Sequence, residues 1–409
     1  MDREIGVVVV GAGAAGLMAA CTAAPDAETV LVTDRALGAC NSAMAQGGLQ
    51  VPRPDAESRE RFLADMLRSA RVPVDEALVR RFVEQVGSCV DELEQWGLML
   101  DRDGNGALLR QWAGGLSDPR IVSVGDGVGT ALMRVLHARV ESLGIEVVTH
   151  TQVVGIDPHD GCLALRVRDR EGALSTMRAR SVVAATGGLT FRIARGRGES
   201  TTNPVNENHV LYDALCGLGL ERVHEEFFQY QPFGIVSFDT GSVGRCVPES
   251  IVNLPVRLLD RNGDAVCDLG LDRLEVANAM TRSIHGGDGY VTADGKSGLR
   301  LTLSDIGEDQ VRARFSKLAL LLERHSALGD DVLVRPFLHY QLGGFRVALD
   351  GTTTVAGLYL AGEMTGGLHG RNRLMGNGIT ESLVRGRLSG AAAVRWLGGS
   401  AGAQVQPTS

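Results

Sequence analysis

The stretch "IGVVVVGAGAAGLMAACTAA", which begins at Ile5, constrains the fold more than any other part of the chain. Its acidic start and its glycines at Gly11, Gly13 and Gly16 argue against a signal peptide or a membrane helix. The run from Ile5 to Val10 reads instead as a buried parallel strand, followed by a glycine turn, a small-residue helix to about Ala24 and a second strand, "TVLVTD". Gly11 permits the tight turn, Gly13 lets the backbone approach a pyrophosphate, and Gly16 lets helix and strand pack closely. The helix N-terminus offers unpaired N–H groups to phosphate. Asp34, about twenty residues on, stands where a ribose hydroxyl is bound. These residues together define a dinucleotide site.

With 409 residues the chain has room for a large α/β core and one inserted domain. Helical periodicity covers 55–100 and resumes over 126–143. The segments "IEVVTHTQVVGID", "CLALRVRD" and "TMRARSVVAATGG" read as three strands of an antiparallel meander, with turns at 158–161 and 170–172. From 223 to 333 the pattern turns irregular, as in an inserted domain, before α/β character returns at "GLYLAGE" and the helix "TESLVRGRLSGAAAVRWL". The expected division is a discontinuous dinucleotide-binding domain, 1–222 and 334–397, an α+β capping domain, 223–333, and a frayed tail, 398–409.

A net charge of -8 lacks the basic excess that nucleic acid binding favours. Lys296 and Lys317 are the only lysines, so positive charge is carried by arginine, which reads as genome composition. Seven scattered cysteines, without a CxxC pair or a histidine at ligand spacing, argue against zinc or iron–sulfur sites and for reduced thiols in the cytoplasm. No metal site, nucleic acid or membrane partner is expected.

Three more segments, "NSAMAQGGLQ", "VVAATGG" and "TVAGLYLAGE", separate FAD from NAD: they resemble the two-dinucleotide-binding flavoprotein architecture. More narrowly, "NSAMAQGG", "TTNP", "LHYQLGG", "GLYLAGE" and "HGRNRLMGNGITESLV" resemble, in collinear order, the fumarate reductase, succinate dehydrogenase and L-aspartate oxidase flavoprotein family. The resemblance implies FAD contacts at Gly13, Ala14, Ala15, Asp34, Asn41, Ser42, Gln46, Gly47, Gly48, Glu363, Asn377, Gly378 and Ile379. Respiratory members tether the flavin to a histidine where this chain has Asn41, so its FAD is expected to be noncovalent. The helix after Gly378 would aim its positive end at the isoalloxazine.

The resemblance also implies a carboxylate clamp of Arg273, His339 and Arg373, since a guanidinium pairs bidentately with a carboxylate and keeps its proton. Arg371 has no counterpart and is expected to have a structural or rim role; His369 has no assigned role. Four departures stand out. Gln231 replaces a histidine that holds the second carboxylate, which suits an amide, hydroxyl or ketone as well. Glu249 is kept, but Val252 stands where the proton relay has an arginine. Glu207, Asn208 and His209 replace Gly-Asp-Gly, and the chain ends soon after the last motif, so no iron–sulfur subunit is expected.

The expectation is an FAD-dependent oxidoreductase resembling L-aspartate oxidase, taking hydride from a small amino or carboxylic acid and passing electrons to oxygen or another acceptor. The alternative is a biosynthetic flavin desaturase or C=C reductase. A flavoprotein that has lost catalysis is the reading from another class, and retention of Arg273, His339 and Arg373 together speaks against it.

Overall fold

The computed structural model describes residues 4–238 and 244–399. Strand β1 (Glu4–Val10) passes through the glycine turn into α1 (Ala14–Ala23), and β2 (Thr29–Val32) pairs with β1 in parallel. Alternate residues of β1 feed two cores, Val7 and Val9 on one face and Val8 and Val10 on the other. That is why the strand reads as an unbroken apolar run. Helices α2 (Ala56–Ala70) and α3 (Glu76–Gln95) start at Asp55 and Asp75, whose side chains accept from Ser58 N and Leu78 N. Helix α4 (Val128–Ser142) follows.

The segment read as a single strand from Ile145 is two. His150 takes a left-handed conformation, φ 52, and breaks it into β3 (Glu146–Val148) and β4 (Gln152–His159). Strand β3 joins the parallel part of the sheet beside β2, while β4 opens the meander with β5 (Cys162–Arg168) and β6 (Leu174–Ala184). Strand β6 serves both parts, pairing antiparallel with β5 at Leu165↔Met177 and parallel with β1 at Val8↔Val182.

A second sheet has its own core, in which Phe233, Ile235, Met280, Leu299, Leu322 and Val334 take part. Its strand β7 (Phe228–Ile235) lies beside the long β9 (Val332–Gln341), and β8 (Ser297–Leu301) pairs with β9 on the other side. Strand β9 runs across position 333 and stays in this sheet to its end, where Tyr340 and Gln341 pair with Gln229 and Phe228 of β7. Helices α5 (Arg273–His285) and α6 (Ser316–Arg324) belong to the same region. Strand β10 (Leu358–Leu360) returns to pair with β6, and α7 (Asn377–Gly399) closes the described chain. Residues 400–409, most of the expected tail, lie outside the described residues, and Gly398 and Gly399 end α7.

Helix α7 lies directly on α1. A Cβ at Gly386 would come within 2.3 Å of Ala15 O, and one at Gly390 within 2.4 Å of Ala19 O, so both glycines set the helix spacing. The two halves meet at helix starts. Asp126 accepts from Lys317 N (2.8 Å), Leu318 N (3.2 Å) and Ser316 Oγ (3.2 Å), capping α6 from across the seam. Arg71 donates to Asp272 (2.6 Å), itself the N-cap of α5. Among the described residues no helix is long and apolar enough to cross a membrane, no cluster of three or more ligating side chains is placed for a metal ion, and all seven cysteines are free.

Candidate active site

The glycine turn is tight enough to demand its residues. Gly11 has φ 108, and a Cβ there would meet Ala185 O at 2.4 Å; a Cβ at Gly16 would meet Gly11 O at 1.8 Å. Gly13 is looser, with Ser42 Oγ at 3.4 Å. The mouth of this turn opens a trough lined by Gly11, Gly13, Ala14, Ala15, Asp34, Asn41 and Ser42. Ser42 Oγ accepts the Ala14 N–H at 3.0 Å, at the start of α1. In place of the missing Gly-Asp-Gly, Glu207 and Asn208 line the same trough, and Asn208 Nδ2 donates to Gly188 O at 3.3 Å.

A cavity of about 490 Å³ continues the trough, sharing Asn41, Ser42, Glu363 and Ser382 with it. Gln46, Gly47, Gly48, Gly378 and Ile379 line it, which brings the start of α7 to its wall. That start is fixed from below: Gln50 donates from Nε2 to Met375 O (2.8 Å) and from its backbone N to Thr380 Oγ1 (3.0 Å). Gly376, at φ 87, makes the turn. Glu363 follows Gly362, at φ 77, and its Oε1 accepts from Thr190 Oγ1 (3.1 Å) and Gln341 N (3.0 Å). Burial pushes its carboxyl pKa up, against those donors. Gly188 gives it room, since a Cβ there would lie 2.7 Å from Glu363 Oε1.

Arg273, His339, Arg373 and Gln231 all face this cavity. Arg273 Nε donates to Glu249 Oε1 (2.8 Å), Nη2 donates to the other carboxylate oxygen, and Nη1 donates to Gln229 Oε1 (3.0 Å). Gln229 in turn donates to Asn372 Oδ1 (3.0 Å) and Arg373 O (2.8 Å), so one buried amide ties the two arginine segments together. Val252 lines a smaller adjoining cavity that also reaches Glu249, Arg273 and Arg373. Gln231 spends its amide on backbone, accepting from Phe233 N (3.0 Å) and donating to Val247 O (3.3 Å).

His339 Nδ1 lies 2.7 Å from Thr202 Oγ1, and Asn203 Nδ2 donates to His339 O at 2.7 Å. Asn41 donates to Asn203 Oδ1, linking the trough to the clamp. Burial first, then Arg273 and Arg373, hold the His339 pKa well below its usual value, so the ring is neutral at neutral pH. Thr202 also accepts from Asn203 Nδ2 at 3.5 Å, so the Nδ1 edge of the ring is held by a side chain that is itself placed.

Arg373 is 4% exposed. Its guanidinium carbon lies 4.3 Å from the Tyr340 ring centroid, and a Cβ at Gly378 would lie 3.0 Å from its Nη1. Among the described residues it meets no carboxylate, and its buried Nε has no hydrogen-bond partner. Burial and the neighbouring Arg273 lower its pKa to about 10, so it remains charged at neutral pH.

Behind Tyr340 stands a network that includes His369. Glu381, 2% exposed, takes His369 Nε2 (2.8 Å), Arg385 Nε (2.8 Å) and Tyr340 OH (3.3 Å). Burial alone would raise its pKa, but His369 and Arg385 outweigh burial and bring it down to about 2. The depressed value makes ionised Glu381 a source of stability above pH 4.5 that is lost as pH falls from there toward 2. Glu381→Gln should lower Tm at neutral pH and flatten its decline across that acid window, a difference on the order of 3 kcal/mol in wild type. Arg371 sits with its guanidinium carbon 5.1 Å from the Phe227 ring centroid and does not line the cavity.

Of the residues expected at the cofactor and the clamp, Gly16 and Asn377 do not line the trough or the cavity. Gly16 is a packing residue, and Asn377 is fully buried with both ends of its side-chain amide unpartnered. Gln229, Thr202, Tyr340 and Glu381 were not singled out. The strict alternation of "FFQYQPF" would have exposed Gln229, since it is two residues from Gln231 on one strand.

The donors and clearances fit an extended dinucleotide: a pyrophosphate cradle of glycines and alanines and a helix start at each half. They describe a dinucleotide-binding protein in which a cavity lined by Arg273 and Arg373 continues the trough. The profile of the FAD binding domain family matches residues 6–379. The chain is 31% identical over 396 residues to an L-aspartate oxidase of Mesorhizobium japonicum, covering 92% of this chain and 72% of that protein. It is 27% identical over 405 residues to the 8-methylmenaquinol:fumarate reductase flavoprotein subunit of Wolinella succinogenes, covering 95% of this chain and 65% of that one. Among solved structures, an E. coli quinol fumarate reductase chain superposes with a TM-score of 0.87 at 24% identity, over 98% of this chain and 72% of the other. The chain belongs to the FAD-binding family that contains the L-aspartate oxidase and fumarate reductase flavoproteins, and it is an FAD-dependent oxidoreductase.

Proposed function

We propose that this protein oxidises a small amino or carboxylic acid, in the manner of L-aspartate oxidase, with the carboxylate anchored on Arg373. The observation that carries this is a buried, charged guanidinium with no carboxylate of its own beside it, facing a cavity. Bound FAD supplies hydride acceptance at N5. Arg373 offers its planar fork to the acid, and His339, in the lining of the same cavity, adds a neutral imidazole. Arg273, already joined to Glu249 and Gln229, keeps two N–H groups for the substrate. Units 1–222 with 334–397 and 223–333 enclose the reacting carbon between them.

FAD contacts are proposed at Gly13, Ala14, Ala15, Asp34, Asn41, Ser42, Gln46, Gly47, Gly48, Glu363, Gly378 and Ile379, which line the trough or cavity, and at Asn377. Binding is noncovalent, because an asparagine amide cannot replace the tethering imidazole; acid precipitation should release all of the yellow colour. The proposed acceptor is oxygen or another small oxidant, without an iron–sulfur subunit, in the cytoplasm. The direct contact between Glu249 and Arg273 supports a second reading, a desaturase or C=C reductase that draws its proton through that pair.

Product analysis separates the two. Aerobic turnover with L-aspartate and longer amino acids should release ammonia and a 2-oxo acid. If no amino acid yields ammonia and the chemically reduced protein is reoxidised by an enoate, the second reading replaces the first.

A further inference from the structure

Two like charges line the cavity and come from distant segments: Arg273 starts α5, and Arg373 lies in the loop before α7. Burial first, and then the charge of Arg273, lowers the Arg373 pKa to about 10, so the two cations act on each other. Glu249 fixes Arg273 at Nε and Nη2, and the Tyr340 ring faces Arg373. Neither of these contacts relates one guanidinium to the other. The side chain that does so is Gln229 of β7, which is 2% exposed and lines neither the trough nor either cavity.

The Gln229 amide can stand only one way round. Its Nε2 is 2.8 Å from Arg373 O, which can only accept, and its Oε1 is 3.0 Å from Arg273 Nη1, which can only donate. The second Nε2 proton goes to Asn372 Oδ1 (3.0 Å), and Asn372 is held in turn, its Nδ2 donating to Ser69 Oγ (2.9 Å) at the end of α2. Asn372 and the Arg373 carbonyl therefore aim the Gln229 oxygen at Arg273. Only an amide serves here. A carboxylate would set oxygen against two acceptor oxygens, and it would add a second anion to Arg273, which Glu249 already matches. An alkyl side chain would strip a buried carbonyl of its donor and Arg273 Nη1 of this acceptor.

We infer that Gln229 is a positioning residue for acid binding: without touching the substrate, it fixes the Arg273 guanidinium relative to Arg373, so that both present their free N–H groups to one acid. This rests on the reading of Arg373 given above.

The test is titration of the FAD-loaded protein with acetate and malonate, read by the change in flavin absorbance; neither acid has a CH–CH bond that a flavin could desaturate. Gln229→Leu should keep its FAD and bind the tighter of the two acids about ten-fold more weakly than wild type does, the scale of one hydrogen bond to a charged group. Gln229→Glu, close to wild type in shape, should be weakened at least as much. In an Arg273→Gln background Gln229→Leu should cost less than about three-fold, because the group it aligns is gone. Wild-type affinity in Gln229→Leu, or an equal loss in both backgrounds, would overturn the inference. So would the purification of both Gln229 variants without FAD, which would make the residue a part of the fold. If neither acid perturbs the wild-type flavin, or if Arg373→Ala binds as tightly as wild type, the reading of Arg373 falls and this inference with it.

Discussion

Arg373→Ala leaves the protein folded and yellow but reduces its flavin at least about thirty-fold more slowly with any carboxylic acid substrate. Truncating one partner of a buried charge pair costs roughly 2–5 kcal/mol, and every 1.4 kcal/mol is about ten-fold. The fold has less at stake, because Arg373 is held by the Tyr340 ring and by clearance over Gly378, with no ion pair to strand when it goes. Arg373→Lys should recover little, since a point charge cannot reproduce a planar fork against Tyr340. Rapid anaerobic mixing followed at the flavin band measures both variants. The same residue predicts a pH limit: with a pKa brought down to about 10, the cation is lost and acid binding weakens as pH rises through that value.

Gly16→Ala yields a protein without flavin and of lower Tm. The added methyl would stand 1.8 Å from Gly11 O and 2.9 Å from Gly11 C, so α1 must move off the turn that cradles the pyrophosphate. Overpacking of this kind costs roughly 1–3 kcal/mol, and the displaced turn carries the cofactor's anchor with it. Gly13→Ala is the control. Its methyl meets only Ser42 Oγ, at 3.4 Å, so that variant should keep its Tm and lose FAD affinity alone. Absorbance of the purified variants, with thermal melts of the apoproteins, distinguishes a packing fault from a cofactor fault.

The N-terminal βαβ unit was legible because everything that defines it is local: an apolar strand, three glycines and an acid at the end of the next strand. The meander was legible too, apart from its first strand. His150 in a left-handed turn has no signal in composition, because a histidine there looks like any strand residue. That Arg273, His339 and Arg373 line one cavity could be anticipated only through resemblance, since they come from segments far apart in sequence. What holds them was mostly hidden. Glu381 looks like an ordinary i, i+4 partner of Arg385 on a helix, yet it is buried and also bonds His369 and Tyr340. His369, without a role in the sequence, belongs to that support, and Asp126 caps a helix 190 residues away, which no local pattern can announce.

The most direct measurement is the anaerobic flavin spectrum of the purified protein before and after mixing with amino and carboxylic diacids. An oxidoreductase that anchors its acid on Arg373 shows an oxidised flavin band that bleaches with at least one of them, and Arg373→Ala shows the band without the bleaching. A protein that purifies without flavin, or an Arg373→Ala variant that bleaches as fast as wild type, would contradict it.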